Sequence, residues 1–286
     1  MHYVKAKSIL SQKNGMNLYR GCSHGCIYCD SRSEIYNMDH DFEDIEVKEN
    51  SLELLKRELL KRPKAMIGTG SMTDPYIPAE RHLRYVRRSL ELIDRYGFGF
   101  TCITKSDLVL RDLDLLKKIN EKAKAVVQMT LTTADDDLCR ILEPNVCPTS
   151  RRVEVLKELD DAGIPTVVWL CPILPYINDD FENIRAILDH CVEAKVKGMF
   201  CFNMGLTLRD GNRQHFYRKL DEHFPGLKER YIEEFGDSYA VGSPNNDGLM
   251  RYFKKRTSDE GIMNDSYEIL CYLREFPQKS RQSKLI

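Results

Sequence analysis

The stretch RGCSHGCIYCD, residues 20–30, brings Cys22, Cys26 and Cys29 within eight positions. Three residues separate the first two cysteines and two separate the last two. A cubic iron–sulfur cluster takes about one thiolate per iron, so three cysteines leave one iron without a protein ligand. An open coordination position is what a metal centre needs if a substrate or cofactor is to bind it directly. Structural zinc normally draws on two paired motifs, and no second C-x2-C pair exists here. Two other readings stay open on the residues alone: zinc held by the three cysteines with His24 or a distant histidine, and a chance group of inert thiols.

The rest of the chain has to position such a site. It has 286 residues, enough for one large domain or two small ones. Net charge is −1, with 42% hydrophobic and 30% charged residues, so neither a global basic field nor an acidic excess points to nucleic acid or disorder. No apolar run reaches the roughly 18 residues a membrane span needs. The opening MHYVKAKSILSQKNG lacks the apolar stretch of a secretory signal, so a cytoplasmic place is expected. Reduced thiols fit that compartment. The remaining cysteines (Cys102, Cys139, Cys147, Cys171, Cys191, Cys201 and Cys271) are scattered and read as small core hydrophobes.

Short apolar runs at 65–70, 98–104, 125–133, 166–174 and 198–205 read as buried strands. Helical patterns lie between them at 51–61, 80–96, 111–122, 149–162 and 181–194. GMNLYRGC supplies a first strand ahead of the cysteine loop. Strand and helix thus alternate about six times, which argues for a parallel sheet covered by helices. An open, incomplete barrel and a doubly wound sheet both place their sites at the carboxyl ends of the strands. After residue 205 the rhythm changes. Two charged helices joined at FPG and another behind an Asn-Asp cap are expected to pack across the core, with the tail KSRQSK unstructured.

C-x3-C-x2-C with Tyr28 just before the last cysteine resembles the radical S-adenosylmethionine (SAM) superfamily. The resemblance implies a [4Fe–4S] cluster on Cys22, Cys26 and Cys29, and SAM bound at the open iron. It also implies a partial (β/α)6 barrel and an electron donor such as flavodoxin or ferredoxin. SAM would be cleaved reductively to a 5′-deoxyadenosyl radical that abstracts hydrogen from a substrate. The core is expected over residues 1–205, with a helical extension over 206–286.

Within that superfamily the chain resembles the spore photoproduct lyase group. The likeness rests on GTGSMTDP (68–75), ITKSD (103–107), MTLTT (129–133) and EPNVCPTSRRVEVLKELDDAGIPT (143–166). It implies that Thr73 and Asp74 lie near the SAM ammonium, Lys105 and Thr130 near its carboxylate, and Tyr28 by the adenine. Arg152 would reach the ribose or carboxylate, and PILPYIND (172–179) would border the adenine. Opposite charges at hydrogen-bond distance are the stronger kind of contact, which suits these pairings. Each residue also has a plainer reading. Asp74 before Pro75 starts a turn, Lys105 is a solvated strand end, Thr130 a β-branched strand residue and Arg152 an exposed helix arginine.

One departure matters. Lyases of that group carry a hydrogen-donating cysteine where this chain has Ser71, and a serine O–H bond is too strong to replace a thiol. Arg81, Arg84 and Arg88, with Arg87 adjoining, form a basic stripe. It reads as a phosphate track or, more plainly, as a solvated face paired with Glu80 and Glu91. Peptide, small-molecule and nucleotide substrates stay open. The competing class is a non-catalytic zinc- or cluster-binding regulatory protein.

Overall fold

The computed structural model describes residues 1–277. The tail KSRQSK lies outside them. Six strands form the central sheet: β1 (Gly15–Met16), β2 (Met66–Thr69), β3 (Gly99–Thr104), β4 (Ala125–Thr130), β5 (Thr166–Trp169) and β6 (Gly198–Phe200). Every neighbouring pair is parallel and the spatial order is the chain order. A doubly wound sheet would reverse that order partway along. Strict progression gives a partial (β/α)6 barrel instead.

Connecting helices are α1 (Ser51–Lys61), α2 (Tyr85–Tyr96), α3 (Leu113–Lys122), α4 (Thr149–Asp161) and α5 (Phe181–Glu193). Their apolar stripes cover the sheet through residues such as Leu55, Leu90, Leu116, Leu156 and Leu188. All six residues of β4 are buried, as a strand covered on both faces requires. The polar member of β4, Gln128, is satisfied: its amide donates to Thr101 Oγ1 at 2.8 Å and accepts from Trp169 Nε1 at 2.8 Å.

Several expectations need correction. The helix read over 80–96 is broken: a short turn, Glu80–Leu83, is followed by Arg84 at φ +55°, and α2 starts only at Tyr85. The cause is Glu80, which is fully buried and whose carboxylate accepts the Tyr85 and Val86 N–H groups at 3.0 and 3.1 Å. Tyr19 and Arg111 hold that carboxylate from the other side. Glu80 is therefore no surface partner for the arginine stripe. Arg84 sits at the hinge, Arg87 pairs with Asp112 and Asp114, and Arg88 lies over the Tyr85 ring.

The run 166–174 stops as a strand at Trp169, because Pro172 and Pro175 cannot donate to a ladder. The run 198–205 splits into β6 and a separate strand, Gly205–Thr207, paired antiparallel with Ala240–Gly242. GMNLYRGC also divides. Gly15–Met16 joins the barrel, while Tyr19–Arg20 joins a small sheet with His2–Val4 and Glu46–Lys48.

The C-terminal part contributes α6 (Asn212–His223), α7 (Leu227–Phe235), α8 (Asn246–Asp259) and α9 (Ser266–Arg274). Phe253 of α8 enters the main core and Arg256 pairs with Asp189 of α5 at 3.1 Å. Ile269 and Leu273 of α9 pack with Val126, Val167 and Phe200. All ten cysteines are unpaired, but not all seven scattered ones are core hydrophobes. Cys271 is exposed, and Cys147 is partly exposed and donates to the Lys105 carbonyl at 3.2 Å. No helix among the described residues is long and apolar enough to cross a membrane.

Candidate active site at the carboxyl edge of the sheet

The cysteine loop follows the short strand Tyr19–Arg20, which comes just after β1, and is fastened from two sides. The Phe42 carbonyl accepts the Cys22 amide at 3.0 Å. Gly21, at φ +82°, permits that approach, since a Cβ there would stand 2.5 Å from the same oxygen. On the other side Leu142 accepts the Ile27 amide at 3.0 Å, and Asn145 binds the His24 and Ser23 carbonyls through its amide and side chain.

All three cysteines open on one cavity of about 120 Å³, with His24, Gly70, Ser71, Asp74, Thr104 and Lys105 among its walls. Gly70 brings the loop after β2 against β3. It lies at φ +100°, and a Cβ would fall 2.2 Å from the Ile103 oxygen. Asp74 then ties the two strand ends together, accepting from the Tyr76 amide, Thr104 Oγ1 and the Lys105 amide, each at 2.8 Å. Its carboxylate also stands 3.4 Å from His24 Nδ1.

Lys105 is the cation of this cavity. Its ammonium lies 6.0 Å over the Tyr28 ring and makes no ion pair among the described residues. Burial works against its charge, yet Cys26, Glu143 and Asp74 outweigh it and hold the pKa above the usual lysine range. A second cavity, of about 420 Å³, meets the first at Cys29 and Lys105. Its walls include Tyr28, Asp30, Cys171, Phe202, Leu206 and Val241, so the two-stranded pairing of Gly205–Thr207 with Ala240–Gly242 closes it.

The sulfur set can be tested for the metal it suits. Burial, and then Asp74, push the Cys22 thiol up to about 12, and burial carries Cys26 higher still. Thiols so placed become thiolates only when a metal supplies the compensating charge. Four sulfurs on one zinc stand roughly 3.8 Å apart, from Zn–S bonds of about 2.3 Å. Among the described residues, the group of three such side chains whose donor atoms all lie within 4.8 Å of one another is His2, His40 and Asp44. Cys22, Cys26 and Cys29 do not form such a group.

The remaining expected contacts are not gathered at this cavity. Thr73 is buried and faces a neighbouring cavity of about 330 Å³ with Asn17, Arg20 and Lys48. Thr130 is buried behind the strand end and gives its carbonyl to Arg152 Nη1 at 3.1 Å. Arg152 is fully buried, neither an exposed helix arginine nor a wall of either cavity. Its guanidinium pairs with Glu143 at 2.5 Å and donates to the Cys147 carbonyl at 2.9 Å.

Sequence reasoning passed over Glu143. This buried carboxylate also accepts the Tyr28 hydroxyl, so it holds the aromatic residue that precedes Cys29. Burial opposes its charge, but Arg152 and Lys105 hold its pKa below the usual carboxylate range. The available signal was its place opening EPNVCPTS, directly after an apolar turn.

Comparison with known proteins agrees with this geometry. The family model described as the radical SAM superfamily matches residues 16–191. An uncharacterized protein of Methanocaldococcus jannaschii is 33% identical over 242 residues, covering 81% of this chain and 87% of that protein. An uncharacterized protein of Mycobacterium tuberculosis is 30% identical over 249 residues, covering 81% and 72%. Among solved structures, a variant of spore photoproduct lyase with dinucleoside spore photoproduct superposes with a TM-score of 0.66. That match covers 92% of this chain and 80% of the lyase at 13% identity. A second variant, with AdoMet and the dinucleoside bound, gives 0.63 over 88% and 75% at the same 13%. At such identities the shared property is the fold. With cysteine loop, barrel and family match in agreement, the chain belongs to the radical SAM superfamily.

Proposed function

We propose that this enzyme binds a [4Fe–4S] cluster through Cys22, Cys26 and Cys29 and binds SAM in the space that Lys105 shares between the two cavities. The observation that carries the reading is that all three thiols and an unpaired ammonium face one cavity, which opens onto a larger one. When bound and reduced, the cluster supplies the electron that splits SAM into methionine and a 5′-deoxyadenosyl radical. A flavodoxin- or ferredoxin-type donor in a reducing, cytoplasmic compartment suits that need and the ten free thiols.

Lys105 offers its ammonium to the SAM carboxylate, and Tyr28, fixed by Glu143, offers a ring face to the adenine. Asp74 acts on SAM by placing the Lys105 backbone, since its oxygens are already engaged with the loop. Fully buried Arg152 and Thr130 support the site from behind. The substrate takes the larger cavity, whose wall mixes Phe202, Leu206 and Val241 with Asp30 and Asn203. The deciding experiment is anaerobic incubation of reconstituted protein with SAM and dithionite, read as 5′-deoxyadenosine. A protein that holds zinc and releases none is the non-catalytic alternative.

Lys105→Ala removes one charge-assisted hydrogen bond, an interaction of roughly 1.5–3 kcal/mol. SAM affinity should fall about tenfold to a hundredfold with iron content unchanged, as measured by equilibrium dialysis. An unchanged dissociation constant would remove Lys105 from the site.

Ser71 lines the cysteine cavity at the position where the lyase group is expected to keep its thiol donor. The unmodified protein should therefore not repair dinucleoside spore photoproduct, while still cleaving SAM. Multiple-turnover repair by the unmodified protein refutes this; repair gained only in Ser71→Cys supports it. Of the two strand-end thiols, Cys171 faces the larger cavity, whereas Cys201 packs against Met204 and Met250.

A further inference from the structure

We propose that His2, His40 and Asp44, with Glu46 as a fourth donor, form a binding site for a divalent zinc ion on the N-terminal sheet, apart from the cysteine loop. The three side chains belong to different pieces of chain. His2 starts the first strand, His40 and Asp44 lie in the loop that leads to Glu46–Lys48, and that strand pairs with the first. One donor atom from each lies within 4.8 Å of the other two. Tetrahedral zinc with bonds of about 2.0–2.2 Å needs donors roughly 3.3–3.5 Å apart, within reach of small side-chain rotations.

The decisive atom is His40 Nε2. It is screened from solvent and has no hydrogen-bond partner. Its ring is already oriented, because Nδ1 stands 3.0 Å from the Asp41 carbonyl, which can only accept. Nδ1 therefore carries the proton, and Nε2 presents a lone pair. The nearest charged group to that lone pair is the Glu46 carboxylate, whose Oε2 is 3.8 Å away. Two acceptors facing each other across a gap are reconciled by a cation between them. A ligating histidine whose other nitrogen donates to a backbone carbonyl is the usual second layer of a zinc site. Without the ion, a proton on Nε2 pairs it with Glu46 across the same gap, so zinc and that proton compete for one position.

The other donors are held by protein partners that zinc would replace: His2 Nδ1 is hydrogen-bonded to Asp44 Oδ2 at 2.8 Å, and the N-terminal ammonium pairs with Asp44 Oδ1. The two histidine rings meet edge to face at 4.8 Å. Imidazole nitrogen with carboxylate oxygen is a zinc donor set. His2 and Asp44 are 39% exposed, so an ion can enter and a water can complete its shell. The site would also brace the cysteine loop. Phe42, which accepts the Cys22 amide, lies between the His40 and Asp44 anchors.

The test uses full-length protein with its iron–sulfur loop reconstituted, dialysed against zinc chloride in chelator-treated buffer and examined by zinc-edge X-ray absorption. The expected result is one zinc per chain, with nitrogen and oxygen ligands, imidazole scattering and no sulfur. His40→Ala and Asp44→Asn should each weaken zinc binding at least about tenfold with iron content unchanged. His2→Ala, at a partly exposed strand end, decides the matter if the loop variants fail to fold. Zinc that is not retained, zinc bound through sulfur, or equal affinity in the folded variants would overturn the proposal.

Discussion

Replacing any one of Cys22, Cys26 or Cys29 with alanine should abolish both the reduced-cluster EPR signal and the release of 5′-deoxyadenosine. The loss is expected to be complete because no replacement ligand stands by. Among the other cavity walls, Asp74 is bound by three donors, His24 turns its Nδ1 to Asp74 at 3.4 Å, and the Ser71 hydroxyl is a poor ligand for iron beside a thiolate. Cys22 and Cys26, buried and without the iron charge that stabilises their thiolates, return to the thiol form. Cys271→Ala supplies the control, since that exposed cysteine touches neither cavity. A normal signal with SAM cleavage in all three loop variants would end the assignment. Loss of the signal in the control as well would mean that the reconstitution, and not the ligand, had failed.

The barrel was legible because its strands are nearly pure apolar runs and its helices carry apolar stripes, so burial on both faces of the sheet is written in composition. The cysteine loop was legible because metal ligation imposes local spacing. What sequence could not reveal is pairing across distance. Glu80 breaks a helix whose periodicity continues without interruption, and only its meeting with Tyr19 and Arg111 explains why. The N-terminal sheet consists of strands of two or three residues, too short for alternation to register. Arg152 read as a SAM contact or an exposed helix arginine because it sits in a charged helix, α4. Nothing in the chain says that the buried face of that helix meets a carboxylate nine positions earlier.

That pair carries the second large effect. Arg152→Ala should lower the stability of the folded protein by about 3–5 kcal/mol, read as a shift of the urea midpoint, because it leaves Glu143 charged and buried. Truncation of Glu143 strands Arg152 in the same way and also frees the Tyr28 hydroxyl. Replacing both with apolar residues of similar size, Arg152→Met with Glu143→Leu, should recover a large part of the loss, since two charges then stay in water's absence no longer. The two sides of the site respond differently. The double variant restores packing but not the Tyr28 anchor, so SAM cleavage should remain impaired where stability returns.

Acid supplies an independent check. The folded-state pKa of Glu143 lies below the ordinary carboxylate value of 4.5, so the pair's contribution is present above that pH and is lost as pH falls through the depressed folded value. The stability gap between the parent protein and Arg152→Ala should therefore narrow on acidification, because protonated Glu143 no longer needs its partner. A gap below about 1 kcal/mol at neutral pH would show that Glu143 had found other compensation, with Lys105 the nearest candidate by charge.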